Sequence, residues 1–252
     1  MKKLWKKRVI KLSWLWIPYL VLLQCFPLSK ILGYLCLILT IHECGHMLVA
    51  TYFQYKIQCV TIYPFGLSAS IAHIGHGDLI KEALILIAGP LAQLFVPILF
   101  YFLVLTHQLS AGFYEYLCWM NLGIAIFNLL PIYPLDGGRL LQTIIHAFVP
   151  YKVGNMITYG VSFLLILCCL CFIQSTSMLL LCISIVVDIL YHVCNVKEEC
   201  LQFYFYRYRY PKSGKQKIHE KKDLYRGFFN VFKTKNGIIK ENQWLERYFS
   251  SS

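Results

Sequence analysis

Twenty residues from Ile31 to Ala50 form an almost unbroken apolar run, and inside it sit three ionisable side chains, His42, Glu43 and His46. At about 1.5 Å rise per residue a helix of that length covers about 30 Å, one hydrocarbon thickness of a bilayer. Within hydrocarbon every backbone polar group must be satisfied internally, so the run predicts a membrane-crossing α-helix. Ionisable groups at such depth are costly unless paired or bound to a metal.

The rest of the chain agrees with a membrane class. Of 252 residues, 58% are hydrophobic and 14% charged, against roughly 45–50% and about 25% in an ordinary soluble domain. With a mean hydropathy of +0.57, this composition excludes a disordered chain, a collagen-like chain and a disulfide-stapled mini-protein. Nine of the eleven cysteines lie in or beside apolar runs without the spacing of a disulfide framework, and read as small buried hydrophobes.

Further spans are predicted at Trp14–Phe26, Ala83–Thr106, Tyr116–Leu130, Val153–Ile173 and Met178–Cys194, about six in all. The basic stretch before Trp14 resembles a signal-peptide n-region, but no small-x-small cleavage site follows, so this span is read as retained. Gly89-Pro90 and Pro97 are expected to kink the third span. The fourth is short and stops at Pro131 and Pro134, so NLLPIYPLDGG is expected to continue as non-helical backbone at membrane depth. Between Tyr52 and Asp78, polar residues and glycines interrupt a β-branched and aromatic stretch, which reads as a hairpin at or dipping into the membrane. His73 and His76 there read as loop residues. The predicted fold class is an all-α polytopic membrane protein with a membrane-associated β-hairpin-like segment, a transmembrane domain over 1–196 and a short basic tail over 197–252.

The net charge of +12 becomes an orientation once the charges are placed. If residues 1–11 are cytoplasmic, the inside segments hold 23 of the 24 Lys and Arg, and only Lys30 falls outside. Both termini are then cytoplasmic. The basic excess therefore implies anionic lipid at the flanks and no nucleic acid. YFYRYRYPK reads as an interfacial anchor in the same sense.

His42-Glu43-Cys44-Gly45-His46 is an HExxH pattern. On a helix, residues i and i+4 share a face, so both imidazoles can reach one tetrahedral metal while Glu43 addresses the water that the metal activates. Such a site needs a third protein ligand and an open position. Two acidic residues in later apolar stretches qualify, Asp136 and Asp188. Asp136 follows the proline-broken turn at the predicted depth of His46, and Gly137-Gly138 allows close backbone passage. Asp188 has His192 one helical turn later, and the two read as a mutual pair.

HECGH in an apolar span, followed by NLLPIYPLDGG, resembles the site-2 protease family of intramembrane zinc metalloproteases over residues from about 10 to 196. The YPFG turn, the LIAGP start of the third span and the lack of a PDZ-sized insertion resemble its sporulation branch. The resemblance implies one Zn2+ per chain held by His42, His46 and Asp136, with Glu43 as general base. It makes Asn128 a contact to substrate backbone or the developing oxyanion; by its position alone Asn128 is equally a helix-terminal cap. It implies a membrane-associated substrate cut near the cytoplasmic face, pro-sigma-K for this branch, inhibitory membrane partners, and a bacterial mother-cell membrane around the forespore. Strand addition by the segment from Cys59 to His73 would hold a substrate extended. The branch carries a cytoplasmic CBS domain; the 42 residues after Tyr210 have room for a partial one at most. Alternatives are a relative acting on anti-sigma factors or other membrane peptides, and a metal transporter, which would not need Glu43.

Overall fold

The computed structural model describes residues 9–12, 29–63, 66–171, 175–220, 223–234 and 237–250. The predicted span Trp14–Phe26 lies outside them. The chain divides into two compact units, Met1–Ile74 with Ala83–Leu129, and Gly75–Glu82 with Leu130–Ser252.

The first unit contains β1 (Val9–Leu12), α1 (Ser29–Tyr52), β2 (Ile57–Tyr63), β3 (Gly66–Ile71), most of α2 (Leu79–Ala92), a 3-10 turn (Gln93–Phe95), α3 (Val96–Leu105) and α4 (Ala111–Leu129). The expected hairpin is present: β2 pairs antiparallel with β3, Cys59 opposite Ser70, with a register shift between Ile57 and Cys59. A third strand was not expected. β1 pairs parallel with β2, Val9 opposite Cys59, and its four residues are too few for alternation to show in the sequence.

The interruption predicted at the prolines of the third span is the 3-10 turn between α2 and α3. Pro90 stands inside α2, whereas Pro97 lies in the first turn of α3, where its missing N–H has no intrahelical acceptor in any case. Ile38, Val96, Phe100, Leu109 and Leu117 form the core here, with Tyr34 edge-on to Phe100 at 5.5 Å and to Phe113 at 5.6 Å. α4 ends at Leu129, two residues before Pro131.

The second unit contains α5 (Asp136–Ile145), α6 (Tyr151–Leu170), α7 (Thr176–Cys194), α8 (Val196–Arg209), β4 (Gln216–His219), β5 (Phe229–Thr234), β6 (Gly237–Lys240) and α9 (Glu241–Ser250). β5 pairs parallel with β4 and antiparallel with β6. The basic segment after residue 197 is thus more than a charged strip. Tyr151, Cys200, Phe203, Leu224, Phe232 and Leu245 are buried together, and the Tyr151 and Phe203 rings stack at 4.2 Å. Arg207, which the anchor reading would turn toward lipid, points inward: its Nε and Nη2 donate to the two Glu241 carboxylate oxygens at 2.6 and 2.8 Å, both residues being almost fully buried. Phe205, Tyr208 and Tyr210 of the same stretch remain exposed.

Four helices among the described residues are long and apolar enough to cross a bilayer: Lys30–Tyr52, Leu79–Leu105, Tyr151–Leu170 and Thr176–Cys194. Together they define an integral membrane protein.

Candidate metal centre

His42 and His46 lie one turn apart on α1, both buried, as the i, i+4 spacing requires. Each imidazole is tied from behind. His46 Nδ1–H donates to the Ile85 carbonyl at 2.7 Å, which fixes its tautomer, because a carbonyl only accepts. His42 Nδ1 lies 3.1 Å from Gln93 Oε1, while Gln93 Nε2 donates to Asn121 Oδ1 at 3.3 Å and Asn121 Nδ2 donates back to the Gln93 carbonyl at 3.1 Å. With the Gln93 amide so oriented, His42 Nδ1 is also the donor.

Each ring gives its Nδ1–H away, so Nε2 is the nitrogen that both turn toward one point, and the two Nε2 atoms are 3.1 Å apart. Two nitrogens about 2.0–2.1 Å from one tetrahedral zinc would stand roughly 3.3–3.4 Å apart. The donor pair therefore fits that ion. α2 reaches these rings only because residue 89 is glycine: a Cβ there would run into His46 Nε2 and stand 2.9 Å from His42 Nε2. Gly45 serves the same approach from α1, since its Cβ would lie 2.7 Å from that of Ala92. Glu43 is half-buried beside the first histidine. Asn128, on α4, is half-buried, and its side-chain amide donates to the Ile124 carbonyl at 3.0 Å, one turn back in its own helix.

In the second unit, Asp136 opens α5, half-buried, after the non-helical stretch expected between Leu130 and Leu135. Leu135 N–H donates to the Ile132 carbonyl at 2.9 Å and Tyr133 N–H to Ser162 Oγ at 2.8 Å. Gly138 lets α5 fold back on this turn, since a Cβ there would meet the Ile132 and Tyr133 backbone.

The mutual pairing read for Asp188 and His192 gives way to another partner. His192 Nδ1 donates to Glu199 Oε1 at 2.6 Å, and Asp188 is exposed. His73 is exposed with φ +61°, and the His76 ring lies about 6 Å from the rings of Tyr151, Phe203 and Tyr206. The sequence assigns no role to Gln93 and Asn121, and to Gly89 only a kink with Pro90. Polar amides inside apolar helices are a signal for the first two, by the same cost that singles out Glu43.

These features define a membrane-embedded metalloprotein of the HExxH type. Residues 30–111 and 107–169 match Peptidase family M50, more than half of the chain, and the protein belongs to that family. It is 34% identical over 142 residues to Stage IV sporulation protein FB of Bacillus subtilis, covering 56% of this chain and 49% of that protein. To Zinc metalloprotease MJ0392 of Methanocaldococcus jannaschii it is 30% identical over 151 residues, covering 58% and 44%. The chain thus spans about half the length of the curated relatives it matches. A solved structure, the Site-2 Protease from Methanocaldococcus jannaschii, is similar with a TM-score of 0.50 and 25% identity, over 79% of this chain and 93% of that one.

Proposed function

We propose that the protein is an intramembrane zinc metalloendopeptidase that cuts a membrane-associated protein substrate near the cytoplasmic face. The observation that carries the reading is the pair of tied-back imidazoles on a membrane-crossing helix with Glu43 between them. His42, His46 and Asp136 are the ligands; each offers one ligand atom of a kind zinc takes, two imidazole nitrogens and a carboxylate oxygen. Zinc, when bound, supplies Lewis acidity and makes water available as a nucleophile near neutral pH.

The chain's own residues do the rest. Glu43 takes the proton released as the water attacks the scissile carbonyl and passes it to the leaving amine. Ile85 and Gln93 hold both imidazoles in the tautomer that offers Nε2. Asn128 supplies an amide donor to substrate backbone or the oxyanion by releasing the Ile124 carbonyl. β3 lies at the edge of its three-stranded sheet and offers a strand for an extended substrate to pair with.

The likeness to a sporulation protein supports pro-sigma-K as the substrate, with inhibitory membrane proteins as partners. The apolar runs of the sequence support about six spans, and the charge asymmetry supports both termini in the cytoplasm and contact of the basic flanks with anionic lipid. Residues 1–196 then act as the protease and 197–252 as its cytoplasmic tail. Co-expression with a candidate pro-sigma factor tests the reading. A shortened product is expected with the wild type and none with Glu43→Gln, which keeps its zinc; full cleavage by Glu43→Gln would falsify the catalytic assignment.

A further inference from the structure

Beyond the metal centre, a half-buried polar cluster in the second unit gathers around a residue of the tail, Glu199, near the start of α8. Its carboxylate receives three side-chain donors: His192 Nδ1–H from α7 at 2.6 Å on Oε1, and Tyr159 O–H at 2.7 Å and Asn155 Nδ2–H at 2.8 Å, both from α6, on Oε2. A half-buried carboxylate with three donors is well satisfied and joins three helices at one point.

The cluster leads toward the turn that carries Asp136. With Nδ1–H given to Glu199, the other ring nitrogen of His192, Nε2, is left for Tyr133, whose hydroxyl lies 3.4 Å away. The Tyr133 ring is also clasped edge-on, 4.8 Å from His192 and 5.0 Å from Tyr159. Its backbone N–H is held by Ser162 of α6. Tyr133 stands three residues before Asp136, and its backbone is one of the surfaces on which Gly138 closes. The side chain that fixes this turn is therefore oriented, through His192, by a carboxylate sixty-three residues after Asp136.

We infer that Glu199 is a positioning residue: acting through His192 and Tyr133, it holds the Tyr133–Gly138 turn so that Asp136 is presented as a ligand. The inference rests on the reading of Asp136 as the third ligand. It gives the first turn of the tail a part in the metal centre that neither the HExxH nor the LDGG pattern contains.

The test is a cycle on the detergent-solubilised full chain, with zinc affinity measured by chelator competition. Glu199→Leu is expected to weaken zinc binding by about tenfold in the wild-type background. In an Asp136→Asn background it is expected to change affinity by less than about twofold, because the ligand through which it acts is gone. Glu199→Gln keeps an acceptor for Tyr159 and Asn155 but turns its NH2 group toward His192 Nδ1–H, so it should keep the helices joined and still lose zinc affinity in the wild-type background. If Glu199→Leu fails to fold, His192→Phe carries the same comparison, since it keeps a ring and removes the polar link. Equal losses in both backgrounds, or none in either, overturn the inference. An unchanged affinity in Asp136→Asn alone overturns the ligand assignment, and the inference with it.

Discussion

Gly89 offers the sharpest test of how the histidine pair is held, because the perturbation is one methyl group. In Gly89→Ala the new Cβ would run into His46 Nε2 and lie 2.9 Å from His42 Nε2. Ordinary carbon–nitrogen contact needs roughly 3.5 Å, so the rings or α2 must give way by about an ångström or more on the His46 side. Neither yields cheaply. The rings are tied at their Nδ1 atoms by Ile85 and Gln93, and α2 is itself packed against Gly45. Zinc ligands tolerate displacements of about 0.2 Å, so a shift of this size removes at least one good ligand position. The expected result is a loss of zinc affinity of at least about tenfold, equivalent to about 1.4 kcal/mol. Chelator competition and metal analysis of the purified variant read it directly, with circular dichroism confirming the helices. Affinity within about twofold of wild type would refute the idea that the close passage of α2 sets the ligand geometry.

Other outcomes follow from the same geometry. Gln93→Leu removes the acceptor of His42 Nδ1–H and should lower zinc affinity by about 10–100-fold, with Asn121→Leu producing a smaller loss in the same competition assay. Glu241→Leu leaves Arg207 buried without its carboxylate and should destabilise the tail by about 3–5 kcal/mol in chemical unfolding. Adding Arg207→Met should recover only the part of that loss that comes from the unpaired charge, because the Asn230 N–H groups also lose the Glu241 carboxylate. Burial, reinforced by the Arg226 guanidinium, pushes the His146 pKa down to about 3. Between that value and the unfolded value of about 6.5 the unfolded chain binds the extra proton, so stability is full above about pH 6.5 and falls as the pH drops through this window, by at most about 1.4 kcal/mol per unit. His146→Gln should flatten the acid limb of a stability–pH profile.

Much of the membrane architecture was legible because hydrocarbon imposes one rule on every span: twenty apolar residues can satisfy their backbone only as a helix. His42 and His46 were legible for a related reason, since a fixed spacing on a helix places two side chains on one face whatever surrounds it. What held those rings was less so. Gln93 and Asn121 are twenty-eight residues apart, and nothing local says that their amides meet. β1 was hidden by its brevity. The tail was hidden by dilution: Phe203, Leu224, Phe232 and Leu245 stand among lysines and arginines with no period that a window would detect, yet they close into one core. Arg207 and Glu82 look like surface charges in sequence and are buried, Arg207 against Glu241, and Glu82 against Arg226 and the backbone N–H groups of Gly75 and Gly77.

Hydropathy draws a border at residue 197, where apolar sequence yields to charge, but the atoms draw it elsewhere. Glu199 ties down α6 and α7, and Phe203 lies flat on Tyr151 at the first residue of α6. A cut made at the hydropathy border would leave the last two spans with three donors facing an empty acceptor position and an aromatic face bare to water. Any excision meant to isolate the membrane part must therefore keep α8 at least through Phe203, and swapping tails between relatives exchanges part of the spans' own packing.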